Sequence, residues 1–286
     1  MKSLKTTAIA LTTLALGMHT AMAQDLKIKN YVAAPEHFGV TSTLLEGDKD
    51  AILVNAQFSK SEALRIAADI IDSGKNLKTI FVSYGDPDFY FALDVFKTYF
   101  PNVQIVATLE TVKHIQSTYQ LKMDYWAPQM GANAPSKIIV PEAYTSKKLK
   151  LEDVNIEIKG KNELTYLWIP QQKAVVGGIP VTSGSHLWMA DSATKQDRAS
   201  VAATLNDIKK LNPEVVVPAH TSVNAPQNLA AVNFSLDYLA QYEKAVTASK
   251  NSAELIAQMK KKYPELAGDF SLELGAKVVK GEVKWP

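Results

Sequence analysis

The chain contains no cysteine among its 286 residues. That absence excludes disulfides, thiolate zinc sites, iron–sulfur clusters, a cysteine nucleophile and a lipidated N-terminal cysteine. Charge of one sign is also missing: 31 basic and 29 acidic residues leave a formal net charge of +2, so nothing in the overall field draws the chain to nucleic acid or anionic lipid. Glycine and proline number 13 each, which excludes collagen and long low-complexity scaffolds, and 47% hydrophobic residues make an ordinary globular balance. There is no glycine-rich phosphate loop and no G-x-S-x-G elbow.

What is present begins with a targeting segment. Lys2 and Lys5 form a positive start, Thr6 to Leu16 a short apolar stretch, and Ala21-Met22-Ala23 an A-x-A cleavage signal before Gln24. Residues 1–23 are therefore expected to be a signal peptide, with residues 24–286 as the mature chain. Cleavage removes two lysines and no acid, so the formal charge falls from +2 to 0. The apolar stretch is short for a membrane span, and no later segment is apolar enough, so no span is expected after cleavage. Export without cysteine fits a periplasmic or secreted protein that relies on its core.

The rest alternates strand and helix patterns. Ala51 to Val54 is a β-branched run, followed by a helix from Ser59 to Gly74 with a capping-box spacing at Ser59 and Glu62. Lys78 to Val82 is a strand leading to a helix that ends at Phe100, and Gln104 to Ala107 a strand leading to a helix over Leu109 to Tyr119. Asp124 to Pro141 reads as a long loop or lid. Strands are expected at Val154 to Ile158, Leu164 to Ile169, Ala174 to Val176 and Val215 to Val217, with helices over Asp197 to Leu211 and through the last sixty or so residues. No internal repeat or linker is visible, so one domain with a helical C-terminal part is expected.

The most informative stretch is Ser83-Tyr84-Gly85-Asp86-Pro87-Asp88-Phe89, placed between a buried strand and a helix, where α/β proteins concentrate ligand sites. Here the sequence resembles the metallo-β-lactamase fold superfamily, and most of all exported members whose motif reads H-G-D-P-D-H-Y-F-G. The resemblance continues through Ile52 to Phe58, Ile105 to Thr108, Lys173 to Gly178, His186 to Asp191, Val215 to His220 and Leu272 to Lys277. It implies an α/β (α+β) fold, a four-layer αββα sandwich, and hydrolysis by one or two metal ions that turn bound water into hydroxide.

The groups that would hold those ions are largely replaced. Tyr84 and Phe89 stand where the resemblance expects histidines, Asp86 stands at another, and the turn Lys159 to Glu163 lacks the expected mid-chain histidine. Gly178 takes the place of the bridging Asp, which in a dinuclear centre offsets repulsion between cations about 4 Å apart. Asn55 replaces an Asp often found at the end of its strand. Only Asp88 and His220 are kept.

The expected outcome is a degenerate, non-classical member without cofactor, binding a small molecule in a residual cleft lined by Tyr84, Phe89, Gly178 and His186 around Asp86, Asp88 and His220. The alternative is a hydrolase of an ester, lactone or other acyl substrate, using one zinc or other divalent ion at Asp86, Asp88 and His220. Whether the protein is an enzyme stays open at this point, as does a partner-docking role for the helical C-terminal part. The plain readings stand beside these. Asp86-Pro87-Asp88 suits a helix start, Phe89 falls on one helical face with Leu93, Phe96 and Phe100, and His220 ends a buried strand. His114 reads as a surface residue, and His37 has no evident partner.

Overall fold

A computed structural model of the chain describes residues 25–285. The expected signal peptide lies outside them. Six strands, β1 (Lys27–Val32), β2 (Thr41–Glu46), β3 (Asp50–Val54), β4 (Asn76–Val82), β5 (Gln104–Ala107) and β6 (Glu142–Ala143), form one sheet in sequential order. The first two pairings are antiparallel and the other three parallel. The parallel connections carry helices, as they must to return the chain to the same edge: α1 (Lys60–Ser73), α2 (Pro87–Tyr90) with α3 (Leu93–Tyr99), and α4 (Leu109–Met130).

The second sheet comprises β7 (Lys148–Leu151), β8 (Val154–Lys161), β9 (Leu164–Ile169), β10 (Ala174–Val176) and β12 (Val215–Val216) in the order β12-β10-β9-β8-β7. A short parallel ribbon joins β11 (Thr182–Ser183) to β13 (His220–Thr221). Helices α5 (Lys195–Lys210), α6 (Leu229–Ala248), α7 (Ser252–Lys262) and α8 (Asp269–Val279) complete the chain.

The period-two alternation of the strands explains the layers. Leu45, Ile52, Val54, Phe81 and Val106 of the first sheet face Leu149, Ile156, Leu167, Ile169, Ala174 and Val176 of the second. Their neighbours Leu44, Leu53, Ile80, Val82 and Ala107 turn outward onto α1, α3 and α4, while Tyr166, Trp168, Val175 and Val216 turn onto the later helices. The result is helix, sheet, sheet, helix, as expected. Each fully buried residue of the Leu, Ile or Phe size contributes about 1.5–3 kcal/mol, so the inner layer alone is a large share of the fold's stability.

Local signals mostly hold. Ser59 caps α1 by accepting from the Glu62 amide, and Gly74 ends it in the left-handed region. Two expectations need correction. The segment 124–141 is not all loop: α4 runs on to Met130 through Pro128, because Trp126 is buried and Met130 packs against the outer core. The expected single helix up to Phe100 is broken at Phe91 and Ala92 into α2 and α3. Among the described residues, no helix is long and apolar enough to cross a membrane.

Candidate functional site

The site forms where β3, β4 and β10 end together. Asn55, at φ 64°, places its Oδ1 to accept from the Ser83 amide at 3.0 Å and from Ser83 Oγ at 2.9 Å. Ser83 Oγ in turn accepts from the Gly178 amide at 2.8 Å, and Thr165 Oγ1 donates to the Ser83 carbonyl at 2.9 Å. All four residues sit inside the two-sheet packing, so these satisfied polar groups lock the strand ends and aim the 84–89 segment.

Asp86 has the extended backbone of a helix N-cap, and Pro87 takes the first helical position. The carboxylate makes no capping bond, contrary to the plain reading. It accepts from Lys122 Nζ at 2.5 Å, an ammonium that α4 buries completely. Lys122 Nζ also donates to His114 Nε2 at 3.3 Å, and His114 Nδ1 donates to Glu163 Oε2 at 2.5 Å. Asp191 stands close enough to Asp86 to act on its charge, and it accepts from Trp188 Nε1 at 2.6 Å and from the Tyr84 hydroxyl at 3.4 Å.

The charges in this network settle each other. Burial pulls the Lys122 ammonium down, but the carboxylate of Asp86, with Asp191, outweighs it and holds Lys122 above its ordinary value. Burial likewise opposes ionisation of Asp86, and Lys122 overcomes that, so Asp86 lies below the usual carboxylate range. Burial and the adjacent Asp86 charge push the Asp191 carboxyl well above the usual carboxylate range. Burial raises the Tyr84 phenol far above 10, with the Asp191 carboxyl adding to the rise, which leaves it protonated at neutral pH.

Asp88 belongs to a separate pair. Its Oδ2 accepts from His220 Nε2 at 2.7 Å. His220 is fixed by the β11–β13 ribbon and by a bridge to Val40. The close crossing requires Gly39: at φ 58°, a Cβ there would stand 2.3 Å from the Thr221 carbonyl oxygen. Phe89 is fully buried, its ring edge-on to His220 at 6.0 Å and to Tyr84 at 5.9 Å. Above the pair lies a narrow pocket of about 30 Å³, with Asp86, Asp88 and His220 in its lining and walls of Phe38, Phe58, Trp126, Trp188, Phe270 and Trp285.

The expected site residues thus divide. Asp86, Asp88 and His220 share one pocket, but each acid is already engaged by a different cation or imidazole. Tyr84 and Phe89 are buried behind them, outside the lining of that pocket. Gly178 cannot stand in for a bridging acid: at φ 82°, a Cβ would lie 2.5 Å from the Thr165 carbonyl oxygen. His186 is corrected as a cleft residue, since it is 2% exposed and its Nδ1 is bonded to Tyr238 Oη at 2.8 Å, within the helical layer. His114 is not a surface residue, because it is built into the Lys122 network. His37 also has partners, Ser59 at 3.3 Å and Glu62 at 3.7 Å.

Does this set fit a metal? Phe89 and Gly178 offer no donor, the Tyr84 phenol keeps its proton, and Asp86 is neutralised by an ammonium that leaves no room for a second cation at the same oxygen. Among the described residues no group of three or more His, Cys, Asp or Glu could hold an ion. The residues present do not fit the family's metal centre.

Lys122, His114, Glu163 and Asp191 were missed from sequence. One signal did exist. Ile115, Tyr119, Lys122 and Trp126 fall at spacings of four, three and four, so Lys122 lies on the apolar stripe of its helix, where a lysine needs a buried partner.

No family model matches the chain, and no curated protein matches it. Solved structures do. A metallo-β-lactamase from Pontibacter korlensis is 15% identical, covers 77% of this chain and 97% of its own, and superposes with a TM-score of 0.53. A beta-lactamase domain protein from Burkholderia ambifaria is 13% identical over 90% of this chain and 86% of its own, with a TM-score of 0.63. A metallo-beta-lactamase family protein from Thermus thermophilus is 12% identical over 90% and 94%, with a TM-score of 0.61. The chain has the metallo-β-lactamase fold.

Proposed function

We propose that this chain is an exported, non-classical protein of metallo-β-lactamase fold that binds a small molecule in the pocket above Asp88 and His220, without a hydrolytic metal. The observation that carries the reading is Lys122. Its ammonium is fully buried against Asp86, at the carboxylate that the sequence resemblance aligns with a metal ligand. A tethered ammonium supplies positive charge there but has no open coordination position, so it cannot lower the pKa of a bound water as zinc does. The pocket itself is narrow, but its lining is mostly aromatic with a few polar groups, and it shares Phe38, Phe58, Trp126 and Phe270 with a neighbouring cleft of about 630 Å³, within the range of small-molecule sites. Residues 1–23 would carry the chain to the periplasm or beyond.

The test is metal content. The chain, with Asp88→Ala and His220→Ala variants, is purified from zinc-supplemented medium and its metal counted by elemental analysis. Metal near background in all three supports the binding protein. Stoichiometric zinc in the parent, lost in both variants, would establish instead the hydrolase with one ion at Asp86, Asp88 and His220.

A further inference from the structure

The pocket above Asp88 is narrow because rings fill it. About 30 Å³ remains, room for a water but not for an organic ligand. Binding there requires a wall to move, and the walls differ in how they are held. Trp126 and Phe270 belong to α4 and α8, Phe58 is buried in the outer core, the Phe38 backbone closes a turn onto Pro35, and Trp188 is tied by its Nε1–H to Asp191. Trp285 has no such tie. Its indole Nε1–H is buried without a hydrogen-bond partner, and among the described residues no hydrogen bond holds Lys284 or Trp285. Ring contacts alone seat it, edge-on, at 5.5 Å from Tyr125, 5.7 Å from Trp188 and 6.5 Å from Trp126.

The chain leading to that ring has a pin, a turn and a clasp. Lys280 pins the end of α8, its Nζ donating to the Val246 carbonyl at 2.7 Å and to the Ser249 carbonyl at 2.6 Å. Gly281 follows at φ 73°, a conformation glycine adopts without strain, and no atom lies within 4 Å of where a Cβ would stand, so the turn sits in open space. The Glu282 carboxylate then accepts from the Ser252 amide at 2.7 Å and from Ser252 Oγ at 2.5 Å. The amides of Glu282 and Val283 close onto the Lys277 carbonyl. Past this clasp Val283 and Lys284 are exposed, and Trp285 turns in to the pocket wall. A segment with so few bonds opens at lower cost than the helices it rests on.

Deepening the binding reading above, on which it rests, we propose that residues 281–285 form a strap: Trp285 closes the pocket over Asp88 and His220, and the pocket admits its ligand when the ring swings out beyond the clasp at Ser252. The other walls stay in place as it does so.

Diethyl pyrocarbonate, a small reagent that acylates histidine rings, tests the strap on the purified chain, with the rate at each histidine followed by peptide mass spectrometry. His220, whose side chain is 12% exposed, reports the pocket, and His186, bonded to Tyr238 within the helical layer, reports general loosening. His220 should react slowly in the parent. Trp285→Ala should speed it at least about tenfold, because the reaction tracks the open population, and Trp285→Phe should keep it nearer the parent. Glu282 is no part of the pocket lining, yet Glu282→Gln weakens the clasp and should speed His220 at least about threefold. His186 should keep its rate throughout. An unchanged His220 rate in Trp285→Ala would mean that the ring does not close the pocket. Acceleration in Trp285→Ala but none in Glu282→Gln would mean a fixed wall, and equal acceleration at His186 a loosening of the whole fold. Each of these overturns the strap, whereas the metal count described above separately decides the binding-protein reading.

Discussion

Replacing Lys122 by methionine tests the central arrangement most directly. Methionine has a similar length and suits an apolar helix face, so packing loss is small. What changes is that Asp86, buried and 2.5 Å from the lost ammonium, is left without its cation. At an effective dielectric near 20 the pair's gross attraction is about 7 kcal/mol, much of it offset by desolvation. The loss has a ceiling, because Asp86 can take a proton. Neutralising a carboxylate whose unfolded pKa is about 3.9 costs about 4 kcal/mol at pH 7. Lys122→Met should therefore cost about 3–4 kcal/mol at pH 7, read from urea unfolding. The pH dependence is the sharper signature. Asp86 is held low in the parent, so its contribution is present above the unfolded pKa and fades as pH falls. In the variant the folded state holds the extra proton, so stability is regained as pH falls. The two curves should converge towards pH 4. Adding Asp86→Asn to Lys122→Met should recover about 2 kcal/mol or more of the loss, since the unpaired charge is gone. A pH-independent difference below about 1 kcal/mol, or strict additivity of the two changes, would refute the reasoning.

Other outcomes follow from the same geometry. Burial holds the His186 imidazole down at about 4, so stability should decline as pH falls from about 6.5 to 4, by up to about 3 kcal/mol, and His186→Gln should flatten that part of the curve in denaturant titrations. Asn55→Ala removes the acceptor for two Ser83 donors and should cost about 2–3 kcal/mol in urea unfolding, whereas Asn55→Asp should retain most of the stability. Restoring a bridging acid with Gly178→Asp should lower thermal stability strongly, by about 3 kcal/mol or more, without raising metal content by elemental analysis, because the backbone at φ 82° and the Thr165 carbonyl oppose any Cβ.

The individual strands and helices were legible because they rest on periodicity, while their stacking into four layers followed from the resemblance. The Phe81, Val82 and Ile52, Leu53 alternations assign faces without any tertiary information, and Ser59, Glu62 and Gly74 bound α1 by local hydrogen bonding alone. α4 was legible only in part. Pro128 and Gly131 look like punctuation, yet tertiary burial of Trp126 carries the helix past the proline. In the site, losses were readable and replacements were not. That Phe89 and Gly178 cannot hold metal follows from their side chains. That Lys122 compensates Asp86 depends on α4 crossing the end of β4, a contact between residues 36 positions apart that no local pattern encodes. Asp191 was visible only as part of a stretch, since its role appears when Asp86 and Tyr84 converge on it.

The substitutions make sense as one exchange. A buried carboxylate at position 86 needs positive charge close by, whichever group supplies it. A divalent ion supplies that charge together with Lewis acidity and an open position, and it requires several anionic or imidazole donors around it. An ammonium built into α4 supplies the charge alone and asks for one carboxylate and one acceptor, here Asp86 and His114 Nε2. Once Lys122 is in place, further donors around it become a cost: each added carboxylate is a surplus buried charge, and Asp191, beside Asp86, is already pushed well above the usual carboxylate range. Phenylalanine at 89 and glycine at 178 add no donor beside Lys122: the ring fills the core and the glycine takes the φ of 82° that the strand end needs. The pocket sets Asp88 at its floor between aromatic walls, the arrangement on which the proposed binding function rests.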